Sequence, residues 1–340
     1  MERDETEIVF EESGGEVSEG EEGLGESEVA PWMREETASI QNPNFRLHNE
    51  IIDFYNYIRP SEESARLRQE AFDRVRSVLE RELEGSSVLC FGSFATQLYL
   101  PQSDVDVVLL HDTLSGEALT KRVKKVLKAN SELFLNVDSI KAKVPVIKFT
   151  EATSRLEFDL SFNEPSVVYV MQVVLSELRL QPEIKYLVFV LKVALKQRGM
   201  NNTFMGGIGS FLLFLLVLTF LSEFKESKRR SRGGLERVSL AEYLIEFLAF
   251  WGKNFNHRLD EVVFGEKVVV RRKETQDDSL RIISPITDDN LGSSAFRFMG
   301  AFSMFKNRAN FLLNFSFPDK QSILKYLINP SNKNFKQYIE

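Results

Sequence analysis

Strict alternation of apolar and polar residues over Leu156-Glu157-Phe158-Asp159-Leu160-Ser161-Phe162 constrains this chain more than any other feature. Period-two spacing marks a half-buried strand, so the four apolar residues must face a core while Glu157, Asp159 and Ser161 share the other face. Upstream, Asp104 to Leu110 also alternates, and Asp104 and Asp106, two apart, point to one side. Two close carboxylates repel unless a cation lies between them, and such oxygen ligands suit Mg²⁺ (or Mn²⁺) shared with substrate phosphates. If the two strands are neighbours, Asp159 completes a three-carboxylate cluster. Two metal ions held there can bring a hydroxyl in line with an α-phosphate and neutralise departing pyrophosphate.

A third element precedes the acids. Val88 to Phe91 is a short apolar run closed by Gly92-Ser93, with ten residues between Ser93 and Asp104. Glycine has no Cβ, so backbone N–H groups and the Ser93 hydroxyl can approach a phosphate closely. A lone D-x-D recurs by chance in turns, and glycosyltransferases use one for a metal-bound nucleotide sugar. The upstream Gly-Ser and the third acid give the metal reading its weight here. Pro145 to Thr150 reads as an edge strand, and Leu119, Val123, Val126 and Leu127 give a helix one apolar face. Another helix starts at Ser61 as N-cap, with Glu62 and Glu63 in its first turn and Ala71, Val75, Val78 and Leu79 at helical spacing. The sum is an α+β module of roughly 100 residues, within the usual size of one domain.

Beyond Pro165 the pattern turns helical: Val167 to Leu178, Glu183 to Gln197, Ser210 to Phe224 and Leu240 to Phe250, with Lys225 to Arg232 as an irregular basic connection. Lys192 and Lys196 lie one turn apart among apolar residues, a solvated face or an anion site. Gly206-Gly207-Ile208-Gly209 then enters a helix at Ser210 as N-cap, a turn able to receive phosphate or ribose, and Phe211 offers a face for base stacking.

Composition bounds the rest. The 340 residues carry a net charge of −7, but residues 1 to 37 hold 14 acidic and 2 basic side chains, leaving +5 on the remainder. A Glu/Gly/Ser-rich tail of this kind is expected to be disordered. The single Cys90 excludes an internal disulfide and a multi-cysteine zinc site. No secretory signal is expected, and the apolar run Phe211 to Leu221 is shorter than the roughly 20 residues a membrane helix needs, so no membrane partner is expected.

Several segments resemble one family: Leu47 to Ile58, Phe91 to Asp106, Lys143 to Lys148, Phe158 to Asn163 and Leu244 to Phe255. Across Leu47 to about Leu313 the chain is similar to the noncanonical poly(A) polymerases of the TRAMP type, within the DNA polymerase β-like, sigma-type nucleotidyltransferases. That resemblance implies a catalytic domain (61–164) beside a helical central domain (41–60 and 165–325), flanked by tails at 1–40 and 326–340, with the active site in the cleft between the domains. It implies that Asp104, Asp106 and Asp159 bind two metal ions, that Asp159 helps activate an RNA 3′-hydroxyl, and that Gly92, Ser93, Lys192 and Lys196 serve the triphosphate of ATP. It also implies that Ser210 and Phe211 meet the incoming nucleotide, and that the loop Asp289-Asn290-Leu291-Gly292-Ser293-Ser294-Ala295-Phe296 selects the base. Many uridylyltransferases place a histidine near that loop, whereas His48, His111 and His257 all come earlier, which favours ATP. His257 is read as structural. Where relatives begin the central helix with Gly-Val-x-Ala-Ala, this chain has Val167-Val168-Tyr169-Val170-Met171, expected to narrow the ribose pocket or shift the helix.

The resulting expectation is a template-independent enzyme of RNA surveillance, adding AMP to RNA 3′ ends in the nucleus. The alternatives are terminal uridylylation, or a catalytically weak scaffold or RNA-binding subunit. With no RNA-recognition motif or zinc knuckle in the sequence, a zinc-knuckle RNA-binding protein and an RNA helicase are expected partners by resemblance. Ser227 to Arg232 reads as a nuclear import signal, a phosphate-contacting loop or a solvated loop.

Overall fold

The computed structural model describes residues 30 to 339 except 141–144, 164–165, 232–237, 266, 275, 285–287 and 334. Most of the acidic tail, and the expectation of disorder for it, lie outside the described residues. Five strands, β1 (Ser86–Cys90), β2 (Val105–His111), β3 (Phe134–Ile140), β4 (Val146–Glu151) and β5 (Glu157–Phe162), form one mixed sheet in the order β1-β2-β5-β4-β3. Within this sheet β2 and β5 pair in parallel and the other neighbours antiparallel. The helices are α1 (Glu35–Ala38), α2 (Pro43–Ile58), α3 (Glu62–Glu82), α4 (Gly92–Thr96), α5 (Gly116–Ala129), α6 (Ser166–Leu180), α7 (Glu183–Gln197), α8 (Ser210–Arg230), α9 (Leu240–Ala249) and α10 (Phe298–Asn314).

Alternation does what it predicts on β5: Phe158 and Leu160 are fully buried, together with Val105, Val107, Ile147 and Phe149 from the neighbouring strands. Helices α3 and α5 cover this face, and Ser61 caps α3 by accepting a hydrogen bond from the Ser64 N–H. The strand at Pro145–Thr150 is not an edge strand. β4 lies between β5 and β3, and Pro145 stands just before it, so the missing N–H costs the ladder nothing. The edge on this side is β3, whose run Asn136-Val137-Asp138-Ser139 exposes too many polar groups to register as a strand by periodicity.

A second core gathers α2, α7, α8, α9 and α10. Helix α2 packs away from the sheet that follows it in sequence, with Leu47, Ile51, Phe54 and Ile58 buried and α7 and α9 beside it. This half is not purely helical. β6 (Asp260–Val263), β7 (Val269–Arg272) and β8 (Ile282–Ile283) form a small sheet in the order β7-β6-β8, each strand too short to show a period. The basic stretch Lys225 to Arg230 is helical, not irregular, and completes α8. Its charge is matched by neighbouring carboxylates, with Lys225 paired to Glu183, Lys228 to Glu242 at 2.7 Å and Arg230 to Glu226 at 3.1 Å, and cations suit a helix C-terminus.

Both expected tails are shorter than their assigned 1–40 and 326–340. Ala30, Trp32 and Met33 are buried, and the Trp32 ring meets Phe54 edge-on at 5.2 Å and Phe335 at 5.4 Å. Leu327, Ile328, Phe335 and Tyr338 are buried as well. One wholly buried carboxylate ties these ends together: Glu50 accepts from Trp32 Nε1 (3.0 Å), the Ser322 hydroxyl and the N–H groups of Ile323 (2.8 Å) and Leu324 (3.1 Å). Burial of apolar side chains and these hydrogen bonds offset the ordering cost that composition alone assigns to the segments. Among the described residues no helix is long and apolar enough to cross a membrane.

Candidate active site

Strand register builds the acid cluster. Parallel pairing of β2 with β5 sets Asp106 opposite Asp159, and antiparallel pairing of β4 with β5 sets Lys148 opposite the same Asp159. Asp104 immediately precedes β2. Carboxylate oxygens of Asp104, Asp106 and Asp159 lie within 4.8 Å of one another. Burial, and then the negative charges of Asp104 and Asp159, push the Asp106 carboxyl up to about 7. Burial also raises Asp159, against the hydrogen bonds from Lys148, whose Nζ reaches both Asp159 oxygens at 2.7 and 2.5 Å. Three converging carboxylates, answered in part by the one ammonium of Lys148, are a hard-oxygen donor set that a divalent ion such as Mg²⁺ or Mn²⁺ fits.

The Gly-Ser turn is fitted to these acids atom by atom. Gly92 has φ +64°, and a Cβ there would stand 2.1 Å from Asp106 Oδ2, so any other residue would be strained and would displace the Asp106 carboxylate. The Phe91 N–H donates to the Asp106 carbonyl at 3.0 Å, so one residue carries the carboxylate and anchors the turn. The approach to Asp104 is held by Arg68, which the sequence reading missed. Its guanidinium lies 4.5 Å over the Tyr99 ring and donates to the carbonyls of Ser103 (2.7 Å) and Pro101 (2.6 Å). Arg68 sits three residues before Ala71 on the apolar stripe of α3, and a charge on a buried stripe is the signal that could have found it.

A cleft of about 370 Å³ opens beside Asp104 and Asp106, with Gly92, Ser93 and Thr96 on the sheet side and Lys192, Ser210, Phe211 and Phe214 on the helical side. Lys192 is not on a solvated face: it is 8% exposed, and its Nζ donates to the Leu98 carbonyl at 2.7 Å. Burial, then the charge of Lys196, lowers Lys192 to about 8.

The family model for the central palm domain of mitochondrial-like poly(A) RNA polymerases matches residues 47–174. The chain is 37% identical over 216 residues to the inactive noncanonical poly(A) RNA polymerase protein Trf4-2 of Drosophila melanogaster, spanning 62% of this chain and 52% of that protein. It is 32% identical over 235 residues to poly(A) RNA polymerase protein 1 of Saccharomyces cerevisiae, spanning 67% of this chain and 36% of that protein. The solved polymerase core of TRAMP, an RNA surveillance complex, superposes with a TM-score of 0.72 at 27% identity, covering 86% of this chain and 96% of that one. The chain is a homologue of the noncanonical poly(A) RNA polymerases. It has the nucleotidyltransferase fold of their cores, and it spans about half or less of the length of these curated relatives.

Within this poly(A) polymerase fold, the remaining expected site residues divide. Ser210 and Phe211 line the cleft, but the N-cap of α8 is Gly209, and Ser210 is the first residue of the helix. Lys196 is outside the lining: its Nζ lies 3.3 Å from Gln102 Oε1 and 5.3 Å from the Tyr338 ring centre. Asp289 and Asn290 are outside it too. Asn290 Oδ1 accepts from the N–H groups of Ile282 (3.0 Å) and Gly292 (2.9 Å), so its side chain builds its own loop. That loop meets the turn before α8: Phe296 packs where a Gly206 Cβ would be, and the Arg297 N–H donates to the Gly206 carbonyl at 2.9 Å. His257 packs edge-on against Phe298 at 5.1 Å, a structural placement. Of the atypical start of α6, Val167, Val170 and Met171 do line the cleft, joined by Val174.

Proposed function

We propose that this chain is a template-independent RNA 3′-terminal nucleotidyltransferase that adds AMP from ATP and releases pyrophosphate. The convergence of Asp104, Asp106 and Asp159 within 4.8 Å, beside Gly92-Ser93, in a homologue of poly(A) RNA polymerases carries this reading. The three aspartates would hold two Mg²⁺ or Mn²⁺ ions. Bound there, such ions supply the positive charge that favours an alkoxide nucleophile and a leaving pyrophosphate. Ser93 donates a hydrogen bond from its hydroxyl to the triphosphate, and Lys192, a buried ammonium in the cleft wall, answers its charge. Asp159 helps activate the primer 3′-hydroxyl, and Phe211 stacks on the incoming base beside Ser210. The apolar wall of Val167, Val170, Met171 and Val174 excludes water from the transferring phosphoryl group.

By the same reading the protein works on RNA in the nucleus as part of a surveillance assembly, with a zinc-knuckle RNA-binding protein and a helicase. Its support is the likeness to the core of TRAMP and the modest +5 on residues 38–340, which leaves RNA affinity to a partner. A second reading, an inactive subunit, draws on the 37% identity to an inactive relative, and the intact acid cluster opposes it. Incubating the protein and its Asp104→Ala variant with a short RNA, Mg²⁺ and each NTP in turn separates the readings. ATP-dependent extension lost in the variant supports the proposal; UTP used as well as ATP replaces it with uridylylation; ATP–Mg²⁺ failing to bind, with RNA still bound, supports the inactive subunit.

A further inference from the structure

Across three adjacent strands the register writes one row: Asp106 on β2, Asp159 on β5 and Lys148 on β4. Lys148 flanks Asp159 on the side opposite Asp106 and contacts both of its oxygens, at 2.7 and 2.5 Å. Its backbone is fixed, because Ile147 and Phe149 on either side are buried in the sheet core. We propose that Lys148 is a positioning residue and the resident cation of the acid cluster, holding Asp159 in its orientation toward Asp106 and supplying positive charge there before a divalent ion enters. This rests on the reading of Asp104, Asp106 and Asp159 as a metal site.

Two opposing consequences follow for a variant that keeps the side-chain length and loses the charge. The cluster loses a cation that competes electrostatically with an incoming ion, so the ion binds more tightly. Asp159 loses the double contact that sets its rotamer, so turnover falls even when the metal site is full. A residue that merely supported the fold would weaken both together. Lys148 differs in this from Lys192, whose ammonium is buried and donates to a backbone carbonyl, whereas the Lys148 side chain is 41% exposed and meets the carboxylate directly.

The test is Mn²⁺ binding to the full chain, read by electron paramagnetic resonance, together with RNA extension at saturating Mn²⁺, for the parent, Lys148→Met, Lys148→Arg and Asp104→Ala. The expected result for Lys148→Met is a Kd for Mn²⁺ lowered about threefold or more and a kcat lowered about tenfold to a hundredfold with little change in KM for ATP. Lys148→Arg should stay close to the parent in both. Should Lys148→Met not fold, as judged by its melting profile, Lys148→Gln takes its place. Mn²⁺ binding in the Met variant that is unchanged or weaker, or an unchanged kcat, overturns the proposal. A parent that binds no Mn²⁺, or binds it equally after Asp104→Ala, overturns the metal-site reading itself and this inference with it.

Discussion

Replacing Asp106 by asparagine should stabilise the metal-free protein, and increasingly so as pH rises. The Asp106 carboxyl is pushed from its ordinary 3.8 up to about 7, first by burial and then by Asp104 and Asp159, against Lys192 and Lys148. A raised native pKa means the folded state keeps a proton that the unfolded chain releases. The stability this group contributes is therefore full below pH 3.8 and is lost as pH climbs through about 7. At ~1.4 kcal/mol per tenfold, the loss at pH 8 has an upper limit of ~4 kcal/mol. Asparagine has nearly the same shape and no charge, so Asp106→Asn escapes the loss. Urea unfolding of both proteins in EDTA at pH 5, 6.5 and 8 measures it, and groups common to both cancel in the difference. The advantage of the variant should grow by about 2–3 kcal/mol from pH 5 to pH 8, and Mg²⁺ at pH 8 should raise the parent more than the variant. An advantage that does not change with pH would refute the electrostatic account of this cluster.

Other substitutions probe the frame around it. Gly92→Ala places a Cβ 2.1 Å from Asp106 Oδ2 at a φ of +64°, so it should cost at least ~1–2 kcal/mol in thermal unfolding and lower RNA extension about a hundredfold. Arg68→Met removes two carbonyl hydrogen bonds and the Tyr99 contact, and should destabilise by about 2–4 kcal/mol in urea. Deleting residues 1–29 should leave both stability and extension unchanged, whereas deleting 1–36 also removes Trp32 and should cost about 3–5 kcal/mol; equal melting of the two truncations would contradict the role given to Trp32.

The catalytic sheet was legible because its signals are local. Alternation on β5 and the paired aspartates each state a face, and parallel pairing of two such strands makes the faces coincide. Gly92 was legible for the same reason, a glycine where a strand meets an acid. What stayed hidden depends on distant partners. Trp32 reads as part of an acidic tail until Glu50 and Phe54 are beside it, and Lys225 to Arg230 reads as a loop until Glu183 and Glu242 neutralise it. Lys196, Asp289 and Asn290 were placed at the nucleotide by resemblance. In the fold Lys196 Nζ lies beside Gln102 Oε1, the Asp289 carbonyl accepts from the Ser284 N–H, and the Asn290 side chain accepts from the N–H groups of Ile282 and Gly292. Lys148 carries no signal of its own in the sequence, because its meaning lies in the register of β4 on β5.

Nucleotide addition itself tests the central claim most directly. Purified protein, ATP, Mg²⁺ and a short single-stranded RNA, with and without a zinc-knuckle partner, should give RNA lengthened by AMP residues and stoichiometric pyrophosphate, and Asp104→Ala should give neither. No lengthening with either Mg²⁺ or Mn²⁺ in the presence of the partner, or equal lengthening by Asp104→Ala, would contradict it.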